Sequence, residues 1–258
     1  MSIRGRFLWY ELMTSDVDAA IAFYGEVIGW GALPWEHAET PYTMWMRGEE
    51  PIGGVMLLPE EARAQGVPPH WLPYIGTADV DETVATAVEL GATAYIEGMD
   101  IPEVGRIAVL ADPQGAAFAV YTPINAPPDR IGPPQTGQFT WHELATTDWQ
   151  AAYDFYQQLF GWEKTDAMDM GEGNIYQMYG TPGTDNPLGG MFTKPDEMPG
   201  PAFWLCYALV EDVTPQAQRV TELGGQVLNG PMEVPGGDMI AQCMDPQGAA
   251  FAVHSTSS

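Results

Sequence analysis

The sequence predicts an α+β protein in which one structural unit is written twice, and three observations carry that reading. The stretch Asp112-Pro-Gln-Gly-Ala-Ala-Phe-Ala-Val120 recurs letter for letter as Asp245-Pro-Gln-Gly-Ala-Ala-Phe-Ala-Val253. Gly5-Arg-Phe-Leu-Trp-Tyr-Glu-Leu12 is answered by Gly137-Gln-Phe-Thr-Trp-His-Glu-Leu144. Between the copies lies Pro123-Ile-Asn-Ala-Pro-Pro-Asp-Arg-Ile-Gly-Pro-Pro-Gln-Thr136, whose prolines mark a stiff, extended linker. A repeat of about 133 residues is too long for a solenoid unit and long enough to own a hydrophobic core. The reading therefore places a first domain at 1–123, a linker at 124–136 and a second domain at 137–258.

The elements follow in order. Phe7 to Met13 alternates like a strand, and Ser15-Asp16 offers a helix cap. Val17, Ala20, Ile21, Tyr24, Val27 and Ile28 then recur at helical spacing until Gly29. The second copy repeats the stripe with Trp149, Ala152, Tyr153, Tyr156, Leu159 and Phe160, ending at Gly161. Short strands are expected at Tyr42–Met46 and Ile52–Leu58, and again at Asn174–Tyr179 and Leu188–Phe192. A second round begins with a strand at Trp71–Thr77 and a helix over Glu82–Leu90 closed by Gly91. It ends with strands near Thr93–Ile96, Ile107–Leu110 and Ala116–Tyr121. In the second copy Thr214-Pro215 is expected to supply a cap and a first-turn proline for the corresponding helix. Each copy is thus a strand, a helix and three strands, done twice. The segments Gly31–Pro41, Pro59–Pro69 and Thr193–Pro201 read as loops able to close over a site.

Composition sets the class. With 45% hydrophobic residues and nine Trp, the chain has ample apolar surface for two cores. Its formal net charge of -26 would repel nucleic acid and anionic lipid, so the expected partner is a small molecule, aromatic or cationic. No run reaches the length needed to span a bilayer, and no apolar signal core opens the chain; a cytoplasmic setting is the expectation. Cys206 and Cys243 have Pro73 and Leu110 as repeat partners, so they lie outside the shared plan and read as buried free thiols.

Two motifs make the pattern specific. The signature Asp-x-x-x-Ala-x-x-Phe-Tyr-x-x-x-x-Gly-Trp after a first strand, and a last strand introduced by Asp-Pro-x-Gly, resemble the vicinal oxygen chelate superfamily. That family includes glyoxalase I, extradiol dioxygenases and bleomycin resistance proteins. The resemblance covers nearly the whole chain, once per copy, and is closest to tandem glyoxalase-like members. It implies two tandem domains, each a pair of βαβββ modules forming a curved mixed sheet, a cup with helices outside and a ligand within.

The family's chemistry usually needs a divalent metal that polarises substrate oxygens. The resemblance puts its ligand positions at Trp9 and Trp141, at Ala119 and Ala252, and near Pro73 and Cys206. Trp, Pro and Ala offer no side-chain lone pair to a metal, and both copies fail alike, so no metal site and no cofactor are expected. A divalent metal held by other residues is the alternative. His142 follows Trp141 directly, so it is expected on the opposite face of its strand as a packing residue.

Strand parity puts Trp9 with Glu11, and Trp141 with Glu143, on the ligand-facing side, with Ala119 and Tyr121, and Ala252 and His254, on the last strands. Glu11 and Glu143 are the carboxylates that both copies place there, candidates for acid or base catalysis. Arg106 is a possible partner in the first copy, with Asp238 as its counterpart. Trp9, Trp141, Tyr121, His254, Trp45, Trp71, Trp204 and Tyr176 are the candidate ligand-binding residues, with Tyr42, Met44, Tyr74, Met178 and Tyr207 as further lining. Two functions fit. One is a metal-free binder of the bleomycin-resistance type; the other is a glyoxalase-like lyase or isomerase using Glu11 or Glu143, with or without a metal. Since single-copy relatives dimerise and a fused pair can make that contact internally, a monomer or weak homodimer is expected.

Overall fold

The computed structural model describes residues 2–37, 40–125, 132–171, 173–184, 186–198 and 200–257. The first copy runs β1 (Phe7–Thr14), α1 (Val17–Val27), β2 (Gly31–Pro34), β3 (Thr43–Arg47), β4 (Glu50–Leu57) and a short α2 (Glu60–Ala64). It continues with β5 (His70–Gly76), α3 (Val80–Glu89), β6 (Thr93–Ile101), β7 (Gly105–Ala111) and β8 (Ala117–Pro123). The second copy runs β9 (Phe139–Thr146), α4 (Trp149–Phe160), β10 (Glu163–Gly171), β11 (Asn174–Gly180) and β12 (Pro187–Thr193). After β13 (Phe203–Leu209) come α5 (Val213–Glu222), β14 (Gln226–Glu233), β15 (Met239–Met244) and β16 (Ala250–Ser255). The linker's residues 126–131, and positions 38, 39 and 199 of two expected loops, lie outside the described residues.

Each copy supplies one eight-stranded mixed sheet. The strand orders are β2-β3-β4-β1-β5-β8-β7-β6 and β10-β11-β12-β9-β13-β16-β15-β14, the same topology twice. The expected pair of βαβββ modules per copy is therefore present. Two edge strands depart from the sequence reading: β2 lies where a loop was expected, and β10 covers a stretch with no assignment. All four residues of β2 are exposed, so no apolar alternation marks it, and β3 alone dictates it by pairing. In α5 the cap is Asp212, which accepts from the Thr214 N–H, so Thr214 sits inside the first turn rather than at the cap, while Pro215 lies in the first turn as expected.

The cores do not follow the copies. The chain packs as two compact units, one comprising 1–8, 73–131 and 141–204, the other 9–72, 132–140 and 205–258. Each unit thus joins the first module of one copy to the second module of the other. Helix packing is part of this: α3 meets α4 in the first unit, and α1 meets α5 in the second. Tyr156, Phe160, Trp162, Tyr179, Trp204 and Phe118 fill the first unit's core. Tyr24, Trp30, Trp45, Trp71 and Phe139 form the corresponding aromatic cluster in the second.

The repeated motifs hold these units together. In the second unit Trp71 Nε1 donates to Tyr24 Oη (3.0 Å), which donates to Asp245 Oδ2 (3.1 Å). In the first, Trp204 Nε1 donates to Tyr156 Oη and Tyr156 Oη to Asp112 Oδ2, both at 3.1 Å. The helix Phe-Tyr of one copy therefore clasps the Asp-Pro-Gln-Gly of the other. Gln247 Oε1 accepts from the Ser15 hydroxyl and the Asp16 N–H where α1 begins, and Gln114 accepts from Thr146 and the Asp148 N–H where α4 begins. These bonds satisfy donors at the mouth of a helix that its own turns cannot reach. Trp30 Nε1 donates to the Gly137 carbonyl and Trp162 Nε1 to that of Gly5, so the Gly-Trp pair ties down the segment that opens the other copy.

Burial shapes the titration of this framework. It raises the Asp112 and Asp245 carboxyls above their ordinary value, against the pull of the backbone N–H groups that cradle them. Burial, and then the carboxylate beside each, raises the Tyr24 and Tyr156 phenols further still. Cys206 and Cys243 are buried free thiols, and burial pushes Cys243 up to about 12. No helix of the described residues is long and apolar enough to cross a membrane.

Candidate functional site

After the clasp residues are accounted for, a second set of repeated side chains remains, and it has the same geometry in both units. In the first unit β9 runs parallel to β12 with Glu143 opposite Gly190, and β11 lies beyond with Met178 opposite Gly190. Trp141 Nε1 donates to Tyr176 Oη at 2.8 Å, and Tyr176 Oη donates to Glu143 Oε2 at 3.0 Å. In the second unit Glu11 stands opposite Gly54 on parallel β1 and β4, and Trp9 Nε1 donates to Tyr42 Oη at 2.9 Å. Glu11 is 7% exposed and Glu143 8%, so both carboxylates are withdrawn from water.

Glycine makes this arrangement possible. A Cβ on Gly190 would fall inside the Tyr176 ring, and one on Gly54 inside the Tyr42 ring. The phenol end of each tyrosine lies over a strand position that has no side chain. Gly53 and Gly189 instead let the Tyr10 and His142 carbonyls approach. The doubled Gly-Gly is visible in the sequence, but its purpose, a seat for an aromatic ring beside a buried carboxylate, is visible only in the register.

The expected ligand-binding residues divide. Trp141 and Tyr176 join Glu143, Trp9 bonds Tyr42 over the Gly54 that faces Glu11 in the register, and both tryptophans remain half-buried. Trp45, Trp71 and Trp204 do not line these sites. They are 0%, 6% and 4% exposed, packed against Tyr24 or Tyr156, and belong to the aromatic cores. The cause is parity: Trp45 adjoins Met44, and Trp71 lies three residues before Tyr74, so the members of each pair face opposite sides of the sheet. Tyr121 is half-buried, edge-on to Tyr74, and donates to the Val104 carbonyl; burial raises its phenol. His254 is clamped, with Nδ1 2.9 Å from Thr140 Oγ1 and Nε2 3.0 Å from Asp238 Oδ2. Partial burial works to raise Asp238, but bonds from the Ser257 N–H and His254 outweigh it and hold the carboxyl low.

Arg106 is engaged elsewhere. Its guanidinium bonds Asp81 and Asp100, and since Arg106 pairs with Thr122 as Met239 pairs with Ser255, its counterpart is Met239 rather than Asp238. His142 is 4% exposed, stacks on Phe7 at 3.6 Å and lies 2.8 Å from the Leu188 carbonyl through Nδ1, a packing position.

Two family models match. Residues 137–253 match the model described as the glyoxalase/bleomycin resistance protein/dioxygenase superfamily, and residues 10–121 match the glyoxalase-like domain. The chain is 32% identical to the putative glyoxylase CFP32 of Mycobacterium tuberculosis, over 95% of this chain and 92% of that one. The chain belongs to the glyoxalase/bleomycin resistance protein/dioxygenase superfamily. It is also 30% identical to the anthracycline biosynthesis protein DnrV of Streptomyces peucetius, over 95% of this chain and 91% of the relative. The Mn(II)-bound glyoxalase from Novosphingobium aromaticivorans shares the fold, with a TM-score of 0.63 at 17% identity over 98% of this chain and 82% of that one. So does the 2,3-dioxygenase LapB from Pseudomonas sp. KL28, with a TM-score of 0.68 at 13% identity over 100% and 94%.

Membership raises the question of a metal, and the donors can be tested. Trp141 presents an N–H, not a lone pair, where a metal-using member needs a ligand, and that N–H is spent on Tyr176. Among the described residues no three His, Cys, Asp or Glu side chains are grouped to hold an ion. These donors do not fit the family's metal, and no chemical step through one is derived.

Proposed function

We propose that this superfamily member binds a flat organic molecule at its two Trp–Tyr–Glu sites, without the metal ion of its glyoxalase relatives. The observation that carries the proposal is the bond from Trp141 Nε1 to Tyr176, and from Tyr176 to Glu143. It occupies, with a preorganised aromatic and polar wall, the strand position that the resemblance gives to a metal ligand. Half-buried indoles supply the apolar plane, and a withdrawn carboxylate supplies one oriented polar group, the composition of a small-molecule pocket. A relative named for anthracycline biosynthesis is in keeping with a flat polycyclic ligand.

A second reading has its own support. Glu143 is a withdrawn carboxylate oriented by the Tyr176 hydroxyl, and as a base it would take a proton from one substrate carbon and return it to another, as a lyase or isomerase of the glyoxalase kind requires. The two readings separate in one experiment. Purified protein is assayed for bound Zn, Ni, Mn and Fe and titrated with planar aromatic ligands by tryptophan quenching. The same titrations are run on Glu11→Gln, Glu143→Gln, Trp9→Ala and Trp141→Ala. The proposal expects sub-stoichiometric metal and at least tenfold weaker binding in the tryptophan variants. Stoichiometric metal would refute the metal-free reading, and unchanged binding in all four variants would refute the site. Turnover abolished by the Glu→Gln changes would favour the enzyme.

A further inference from the structure

Past Trp9 and Glu11 along β1, the second unit opens into a cleft of about 440 Å³. It is lined by the ends of β1 and β4 (Thr14, Ser15, Met56, Leu57, Leu58), by Thr40 and Pro41, and by Pro59, Glu60, Glu61 and Arg63 of α2 and its approach. Met13 pairs with Met56 as Glu11 pairs with Gly54, so the row Trp9, Glu11, Met13 leads along β1 toward it. One such step along a strand is about 6.6 Å, so Met13 lies about 13 Å from Trp9, but Met56 lies one step from Gly54, where Tyr42 is seated, and a ligand resting on Trp9 and Tyr42 enters by extending that one step past Tyr42.

The charge at this mouth is negative. Arg63 is paired with Glu60, which leaves the Glu61 carboxylate without a partner among the described residues. The duplication supplies the contrast. Leu58 donates its N–H to the Thr14 carbonyl just as Lys194 donates to that of Thr146, so Lys194 is the second copy's counterpart of Leu58. Lys194 Nζ lies there on the carbonyls of Met198 and Gly200, at 2.9 Å from the first. No helix corresponding to α2 occurs among the described residues of the second copy. One copy therefore ends its strands in an apolar cleft with a spare carboxylate, and the other in an ammonium.

We infer that this cleft is a subsite, particular to the first copy, for the cationic end of a flat aromatic ligand. It rests on the proposed binding function and adds to it which copy takes a cation and where. Met56, Leu57, Leu58, Pro41 and Pro59 bury the apolar body next to the charge, and Glu61 meets the charge at the rim. The chain's net charge of -26 raises the local concentration of such a cation.

Two probes of the same shape test it: N-methylacridinium, a fixed cation, and acridine, neutral at pH 8, titrated into the full chain by fluorescence. Glu61→Lys is expected to weaken N-methylacridinium about tenfold and to move acridine less than twofold, since reversing one rim charge acts on the cation alone. Leu58→Lys, which installs the second copy's residue, should act in the same direction. Met56→Trp, which fills the cleft, should weaken both. If Trp9→Ala abolishes binding of both probes while Glu61→Lys, Leu58→Lys and Met56→Trp leave both unchanged, the cleft is refuted and the Trp–Tyr–Glu site stands. Unchanged binding in Trp9→Ala and Trp141→Ala would overturn the parent proposal. Failure of the wild-type chain to bind N-methylacridinium would overturn the inference outright.

Discussion

Replacing Tyr24 with Phe removes one oxygen and almost no volume, so its cost measures the clasp between helix α1 and the Asp-Pro-Gln-Gly turn. Tyr24 Oη accepts the Trp71 indole N–H at 3.0 Å and donates to Asp245 Oδ2 at 3.1 Å, with Tyr24 0% and Trp71 6% exposed. The Phe variant strands the indole N–H in the core at about 1–3 kcal/mol and takes from Asp245 a bond of the charge-assisted kind, about 1.5–3 kcal/mol. Removing a hydroxyl from the interior returns part of this, and we expect a net loss of about 3 kcal/mol. The assay is urea unfolding followed by tryptophan fluorescence, run alongside Tyr156→Phe, whose bonds to Trp204 and Asp112 match in the other unit. The two variants should lose similar amounts. In an Asp245→Asn background, Tyr24→Phe should cost at least about 1 kcal/mol less than in the wild type, because the pair is already weakened. A loss below about 0.5 kcal/mol in both single variants would refute the view that these motifs hold the units together.

Two further outcomes follow from the same geometry. Gly190→Ala should displace Tyr176, because the new methyl falls within its ring, and so break the bond between Trp141 and Tyr176. The expected readouts are a shifted tryptophan emission and loss of ligand quenching in the first unit's site with folding retained, whereas an unchanged emission spectrum would argue against the seating of Tyr176 on Gly190. The raised carboxyls of Asp112 and Asp245 make a pH signature. Between the unfolded value near 3.9 and their higher folded values, the native state holds more protons than the unfolded state, so their contribution to stability falls as pH rises through the folded values. The stability of wild type minus that of Asp112→Asn/Asp245→Asn, measured by urea midpoints from pH 4 to 7, should therefore decline with pH. A difference that rises instead would reverse the assignment.

Much of the architecture is legible in the chain because it depends on local pattern. Alternation marks β1 and β9, and the 3.6-residue stripe ending at a left-handed Gly161 marks α4. The exact recurrence of Asp112–Val120 announces the duplication. Strand parity puts Trp141 and Glu143 on one face, and in the structure Tyr176 bonds to both. Parity alone separates Trp45 from Met44 and Trp71 from Tyr74, but which member faces the core depends on how each strand pairs with its neighbours, and that pairing puts Trp45, Trp71 and Trp204 in the cores. The all-exposed β2 left no periodic trace at all.

By itself, the sequence determined that the chain is one unit written twice and the order of its elements apart from β2, α2 and β10, and the resemblance it carries gives Trp and Ala the positions of metal ligands. Tertiary structure alone decided what the repetition is for. The Phe-Tyr, Gly-Trp and Asp-Pro-Gln-Gly motifs are matched within each copy by spacing, yet they bond across copies, Tyr24 to Asp245 and Tyr156 to Asp112. Which copy a buried carboxylate faces is fixed by packing at long range, and no local preference encodes it. The same long-range packing set Tyr176 and Tyr42 over their glycines, turning two tyrosines into the walls of the candidate site.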